Sequence, residues 1–155
     1  MVEDARFEDG AERAVALRAL DADDLRVISS LTQDAVFPVT EMTWDRPRRR
    51  FALLVNRFRW EETGGKTAPE RVQSVLAIED AMAVASQGID RADPDLVLSL
   101  LAIDWTPGED GTGRITLVLA GDGAIAIDVE ALEVTLRDVT KPYTAPSGRA
   151  PHHPE

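Results

Sequence analysis

Six of the seventeen basic residues of this chain, Arg46, Arg48, Arg49, Arg50, Arg57 and Arg59, fall in one short segment, although the formal net charge is -11. Guanidinium forks suit carboxylates and phosphates, which they grip through two parallel N–H donors. In an extended strand Arg57 and Arg59 share one face, with Asn56, Phe58 and Trp60 on the other. Two cations then stand side by side, and Trp44 and Trp60 supply flat surface for stacking. This pattern makes Arg48, Arg49, Arg50, Arg57, Arg59, Trp44 and Trp60 candidate binding residues for an acidic protein or an anionic small molecule. The same arginines can instead pair with the surplus of Asp and Glu on neighbouring strands, as cross-strand ion pairs with no ligand at all.

Other chemistry has little to stand on. The only histidines, His152 and His153, lie in a Pro-flanked tail, so neither a Ser/His/Asp triad nor a zinc site is expected. With no cysteine, thiol catalysis and iron–sulfur clusters are excluded. Glu79 with Asp104 or Asp128 could do acid–base work if the fold joined them, but among 28 acidic residues such proximity arises by chance. Asp90-Arg-Ala-Asp-Pro-Asp95 lacks the loop glycine and terminal glutamate of a calcium hand and reads as an Asx-capped turn. Gly108-Glu-Asp-Gly-Thr-Gly113 has a phosphate loop's glycines without its Lys-Ser or Lys-Thr, and reads as a hairpin turn. No catalytic residue, metal site or cofactor is expected.

The 155 residues, 44% hydrophobic and 29% charged, suit a single globular domain that needs no disulfide or metal to fold. Acidic residues at the N-terminus contradict a signal peptide, and Leu96 to Ile103, the longest apolar run, cannot span a bilayer. A cytoplasmic protein with no membrane partner follows. The acidic field, together with the lack of a recognised binding signature, argues against nucleic acid, even though basic and aromatic residues interleave at Arg57 to Trp60.

Several elements must position the arginines. Asp21 to Ala35 has an aspartate N-cap, acids in its first turn, and Leu25, Ile28, Leu31 and Ala35 on one helical face. A short strand precedes it at Val15 to Leu20. From Val36 the period becomes alternating: a strand through Val39, Met42 and Trp44 interrupted near Pro38, then Phe51, Leu53 and Val55 on one face. Phe58 and Trp60 have the opposite parity, which predicts a bulge near Asn56. Glu61 to Glu70 reads as a flexible loop and Arg71 to Gln87 as one long strand. Leu96 to Ile103 reads as a central strand, followed by hairpin strands around Ile115 to Leu119 and Ile125 to Val129 with Gly121-Asp-Gly123 as the turn. The stretch 130–139 fits either period, and its β-branched residues favour a strand.

A weak repeat runs through this order. Met42-Thr-Trp44, Arg50-Phe-Ala-Leu-Leu-Val55 and Leu76-Ala-Ile-Glu79 resemble Ile103-Asp-Trp105, Arg114-Ile-Thr-Leu-Val-Leu119 and Ile125-Ala-Ile-Asp128. The expected fold is α+β: a mainly antiparallel β sandwich or small barrel made of two pseudo-repeated three-stranded meanders, with one N-terminal helix. Residues 1–12 form a flexible lead-in, 13–142 the domain, and 143–155 a disordered tail. The three tryptophans fall at strand ends, where large aromatics plug a small sandwich.

At Leu53-Leu-Val-Asn-Arg-Phe-Arg-Trp-Glu61 the chain resembles a small family of short bacterial proteins designated only as a domain of unknown function. The likeness extends to Leu25–Val36 and Asp93–Ile103 and covers about Leu17 to Pro142. It implies a stand-alone bacterial domain and carries over no activity. The expected function is a binding module for an acidic partner or anionic ligand. The alternatives are an enzyme acting on an anionic small molecule, with arginines as clamp and a carboxylate as base, and a homo-oligomer joined through edge strands.

Overall fold

The computed structural model describes residues 14–59 and 70–144. The lead-in 1–12, Trp60, most of the loop 61–70 and the tail from 145 onward lie outside them. Among the described residues the chain forms β1 (Ala16–Ala19), one helix α1 (Ala22–Leu31), β2 (Val36–Pro38), a 3-10 turn (Val39–Glu41), β3 (Met42–Asp45) and β4 (Arg50–Phe58). Next come β5 (Glu70–Ile78), β6 (Ala81–Gln87), β7 (Val97–Pro107), β8 (Gly113–Leu119), β9 (Ala124–Val129), β10 (Val134–Asp138) and β11 (Tyr143–Thr144). The sheet thus runs two residues past the expected domain end at Pro142.

The helix begins where capping predicts it but ends at Leu31, short of the expected Ala35. Asp21 accepts from the Asp24 amide at 2.8 Å, which satisfies one of the amides a helix start leaves open. Leu25 and Ile28 are buried, each contributing about 1.5–3 kcal/mol by leaving water. The helix is tied to β7 where the Ile103 amide donates to Ser29 Oγ at 2.9 Å.

The strands follow the order β1-β10-β5-β4-β2-β7-β8-β9-β6, with β3 added to β4 and β11 to β5. The observed pairs are antiparallel. This is an open sheet rather than a closed barrel, bent so that its two halves share one hydrophobic cluster in a sandwich-like α+β fold.

The repeat is present in the pairing itself. Trp44 opposes Phe51, which opposes Ile78; Trp105 opposes Ile115, which opposes Ile127. One step on, Met42, Leu53 and Leu76 form a rung equivalent to Ile103, Leu117 and Ile125. The ion pair Arg50–Glu79 at 2.9 Å likewise matches Arg114–Asp128 at 2.8 Å. The meanders then exchange their next strands: β6 leaves β5 to pair with β9, and β10 leaves β9 to pair with β5. At the crossing the Glu79 amide donates to the Glu133 carbonyl at 3.0 Å and the Glu130 amide to the Asp80 carbonyl at 2.9 Å.

Two local expectations need correction. Residues 71–87 are two strands, because the chain turns at Asp80 (φ 57°) to reach the other half. Met82 is consequently half exposed instead of continuing the buried face of β5. No bulge occurs at Asn56: β4 pairs with β5 residue by residue from Phe51 to Phe58. The inward face continues through Arg57, while Phe58 is buried on the other side beneath the guanidinium of Arg71, 3.9 Å from its ring centre. The ambiguous stretch after Val129 is strand at β10, held between β1 and β5.

Candidate functional site

The two strand arginines do not form a solvent-facing pair. Arg57 and Arg59 are 0% and 4% exposed. Arg57 occupies a core position because its charge is answered from two strands away: Nη2 donates to Asp138 Oδ1 at 3.0 Å and to Oδ2 at 3.1 Å, and Nε donates to Ser74 Oγ at 3.0 Å. Ser74 Oγ in turn donates to Asp138 at 2.7 Å, and the Val15 amide donates to the same carboxylate at 2.8 Å. This network ties β4, β5 and β10 to the residue before β1. Arg59 pairs with Glu70 at 2.6 Å.

Of the remaining hairpin arginines, Arg48, Arg49 and Arg50 reach solvent, but each has a carboxylate. Arg48 pairs with Asp45 at 3.1 Å, Arg49 with Glu130, and Arg50 with Glu79. Cross-strand and cross-turn pairing therefore accounts for the geometry of Arg48, Arg49, Arg50, Arg57 and Arg59. Arg71, stacked on Phe58, donates to the Asn56 carbonyl at 3.1 Å, and burial lowers its pKa below the usual guanidinium value.

Concave surface lies instead at the seam between β3 and β6. A cleft of about 380 Å³ opens there, with Trp44 and Phe51 on one wall and Val84 and Ile125 on the other. Arg46, at the start of the hairpin turn, and Arg91, in the loop after β6, both line it. Their guanidinium groups have no hydrogen-bond or ion-pair partner among the described residues. Thr40 and Ser86 add hydroxyls, and no described lining residue is a carboxylate or a histidine. A shallower depression continues on the far side of Trp44, where Arg46 and Arg49 face Ala81, Met82 and Val84.

The equivalent seam of the other half is covered by α1, which packs on β7, β1 and β10. Trp105 shares a cavity with Ala22, Leu25 and Arg26 of α1, and β1 covers the outer edge of β10. The fold thus covers one of two related seams with its own β1–α1 segment, leaving a cavity of about 380 Å³ beside Trp105.

Of the candidate residues, Trp44 lines the cleft, Arg49 borders its continuation, and Trp60 is outside the described residues. Arg46 belongs to the arginine-rich segment, but spacing alone does not single it out. Arg91 sits among Asp90, Asp93 and Asp95, a setting that reads as self-neutralising. Two of those acids are engaged otherwise: Asp90 and Asp93 accept from the Ala92 and Asp95 amides at 3.1 and 3.0 Å, forming the expected Asx turns. No sequence signal marks Arg91, because its counterpart across the cleft, Arg46, is 45 residues away in the chain.

Two of the carboxylates considered for acid–base work, Glu79 and Asp128, are structural, and the third, Asp104, is exposed. Glu79 and Asp128 take equivalent places in the two meanders, each beneath an arginine. The hydrogen bond from Arg114 holds Asp128 below the usual carboxylate pKa, the wrong direction for a general acid or base near neutrality. Among the described residues no group of His, Cys, Asp and Glu is arranged to hold a metal, and no helix is long and apolar enough to cross a membrane.

The fold and cleft define a mainly antiparallel α+β domain with one seam covered in cis and a cationic cleft at the other. The chain belongs to the family described as protein of unknown function (DUF2948), whose sequence profile matches residues 15–153. No curated protein and no solved structure matches it.

Proposed function

We propose that the protein is a binding module for an anionic ligand, held in the cleft between β3 and β6 by Arg46 and Arg91 against Trp44. One observation carries this reading: two guanidinium groups without carboxylate partners among the described residues line the same concave surface, whereas the other arginines of the hairpin are paired. A cation of this kind beside an apolar wall favours a carboxylate or phosphate that brings its own apolar body. Binding, not turnover, is the favoured role, since the cleft offers guanidinium and hydroxyl donors and an indole face. The bacterial cytoplasm is the proposed setting, and nucleic acid is disfavoured by the acidic field of the rest of the chain.

Titration calorimetry with inorganic pyrophosphate and with a short glutamate-rich peptide tests this reading. Wild type should bind at least one probe, with affinity falling as salt rises. Arg46→Gln with Arg91→Gln should weaken that binding by about tenfold or more, since each charge-assisted bond is worth about 1.5–3 kcal/mol. Equal binding by the variant would refute the assignment.

A further inference from the structure

Resting on that reading of the cleft, we propose that its ligand is an acidic peptide segment in extended conformation, added as an antiparallel strand to the open edge of β6. Among the described residues β6 pairs only with β9; on its other side the Ala81 amide donates to the Arg49 carbonyl at 2.9 Å, and the backbone from Met82 onward has no strand partner there. Exposed edges of this kind are normally blunted by charge, proline or shortness. The sequence of β6, Ala-Met-Ala-Val-Ala-Ser-Gln, contains no charged residue and no proline over seven positions, in a chain that is 29% charged. The opposite end of the sheet, β1, is only four residues long and carries Arg18. Its one irregularity apart, between Ala81 and Ala83, β6 has the properties of a docking edge.

The second half of the molecule shows what closes such an edge. β10 is the counterpart of β6 in the exchanged meanders, and its outer edge is covered by β1 in antiparallel register, Leu17 opposite Leu136 and Ala19 opposite Val134. An incoming strand beside β6 would repeat that arrangement in trans. Val84 and Ser86 point into the cleft, and Ala83, Ala85 and Gln87 are exposed on the other face. Alternate side chains of an added strand would therefore enter beside Trp44 and Val84.

Charge selects the occupant. Arg46 lines a depression with Ala81 to Val84, and Arg91 lies four residues past the end of β6 and lines the cleft with Ser86, so each end of the edge is marked by a cation. A second copy related by a two-fold axis would set Arg46 of one protein against Arg91 of the other. A segment with acids at both ends and apolar residues between them meets complementary groups throughout.

The test uses the full chain and the peptide acetyl-Glu-Thr-Val-Thr-Val-Thr-Glu-amide, whose inward-facing set is Glu, Val, Val, Glu over about 20 Å. Two backbone N-methylated analogues, one methylated at the odd positions and one at the even, differ in which amides can pair. Strand addition predicts that one analogue loses at least tenfold in affinity while the other binds like the parent. It also predicts that the parent slows amide exchange in β6. If both analogues bind as the parent does, the strand geometry is wrong although the anion cleft stands. If pyrophosphate binds and no peptide does, the strand geometry is again wrong and the cleft again stands. Binding of a lysine-for-glutamate peptide as tight as the parent's would overturn the acidic assignment. A dimer on gel filtration that Met82→Lys dissociates would assign the edge to a second copy instead. Failure of pyrophosphate and peptide alike would remove both the cleft reading and this inference.

Discussion

Arg57 on β4 and Asp138 on β10 meet across β5 at 3.0 Å with neither side chain reaching solvent to more than a few percent. Removing one partner strands the other as an unanswered buried charge, which costs about 3–5 kcal/mol. Arg57→Met should therefore destabilise the protein by about that amount in urea unfolding. Asp138→Asn in the Arg57→Met background should cost much less than in the wild type, because the charge it removes is already unpaired. Additive losses would show that the two residues act independently.

The register of β4 explains why this pair is hard to read in the sequence. Phe51, Leu53 and Val55 announce the buried face, and the next two inward positions are arginines, which hydropathy assigns to the surface. Only the partner, 81 residues away on an exchanged strand, makes Arg57 a core residue. The meanders are legible because rungs such as Trp44–Phe51–Ile78 leave an alternating pattern along each strand. The exchange of β6 and β10 is not, since strand order is a long-range property with no local periodicity. The open cleft is invisible for the same reason: α1 covers one seam and nothing in the described residues covers the other.

Close approach, not an unusual backbone angle, calls for glycine at position 113. A Cβ there would lie 2.4 Å from Trp105 Cη2 and 2.6 Å from the Thr106 carbonyl oxygen, and the carbonyl cannot swing aside. Gly113→Ala should cost about 1–3 kcal/mol, the usual penalty for overpacking. A shift in tryptophan fluorescence should accompany it as Trp105 is displaced. Unchanged stability and emission would mean that the hairpin relaxes freely.

Arg114 and Asp128 give a pH dependence whose sign is fixed. The hydrogen bond from Arg114 lowers the Asp128 pKa, so between the folded value and the ordinary one, about 3.9, the unfolded chain holds more protons. The stabilisation is complete above that ordinary value and disappears as pH falls through the folded value. Wild type should thus exceed Arg114→Gln in stability at about pH 6, and the gap should narrow as pH falls through the folded Asp128 pKa. In the variant the Asp128 carboxyl, followed by NMR, should titrate closer to the ordinary value. A gap that stays constant with pH would assign the effect of Arg114 to packing of its stem.

Arg46 and Arg91 should behave in the opposite way to Arg57. Each is exposed, and neither guanidinium is engaged by a described residue, so removing their charges leaves no described partner stranded. In a chain of net charge -11 two lost cations add a little self-repulsion, which salt screens. Arg46→Gln with Arg91→Gln should therefore shift unfolding by no more than about 0.5 kcal/mol, the ordinary range for surface changes. A loss of several kcal/mol would place both arginines in the scaffold. Retained stability together with lost anion binding would separate the cleft from the paired arginines that hold the sheet, and that separation is what a binding site built on a rigid frame requires.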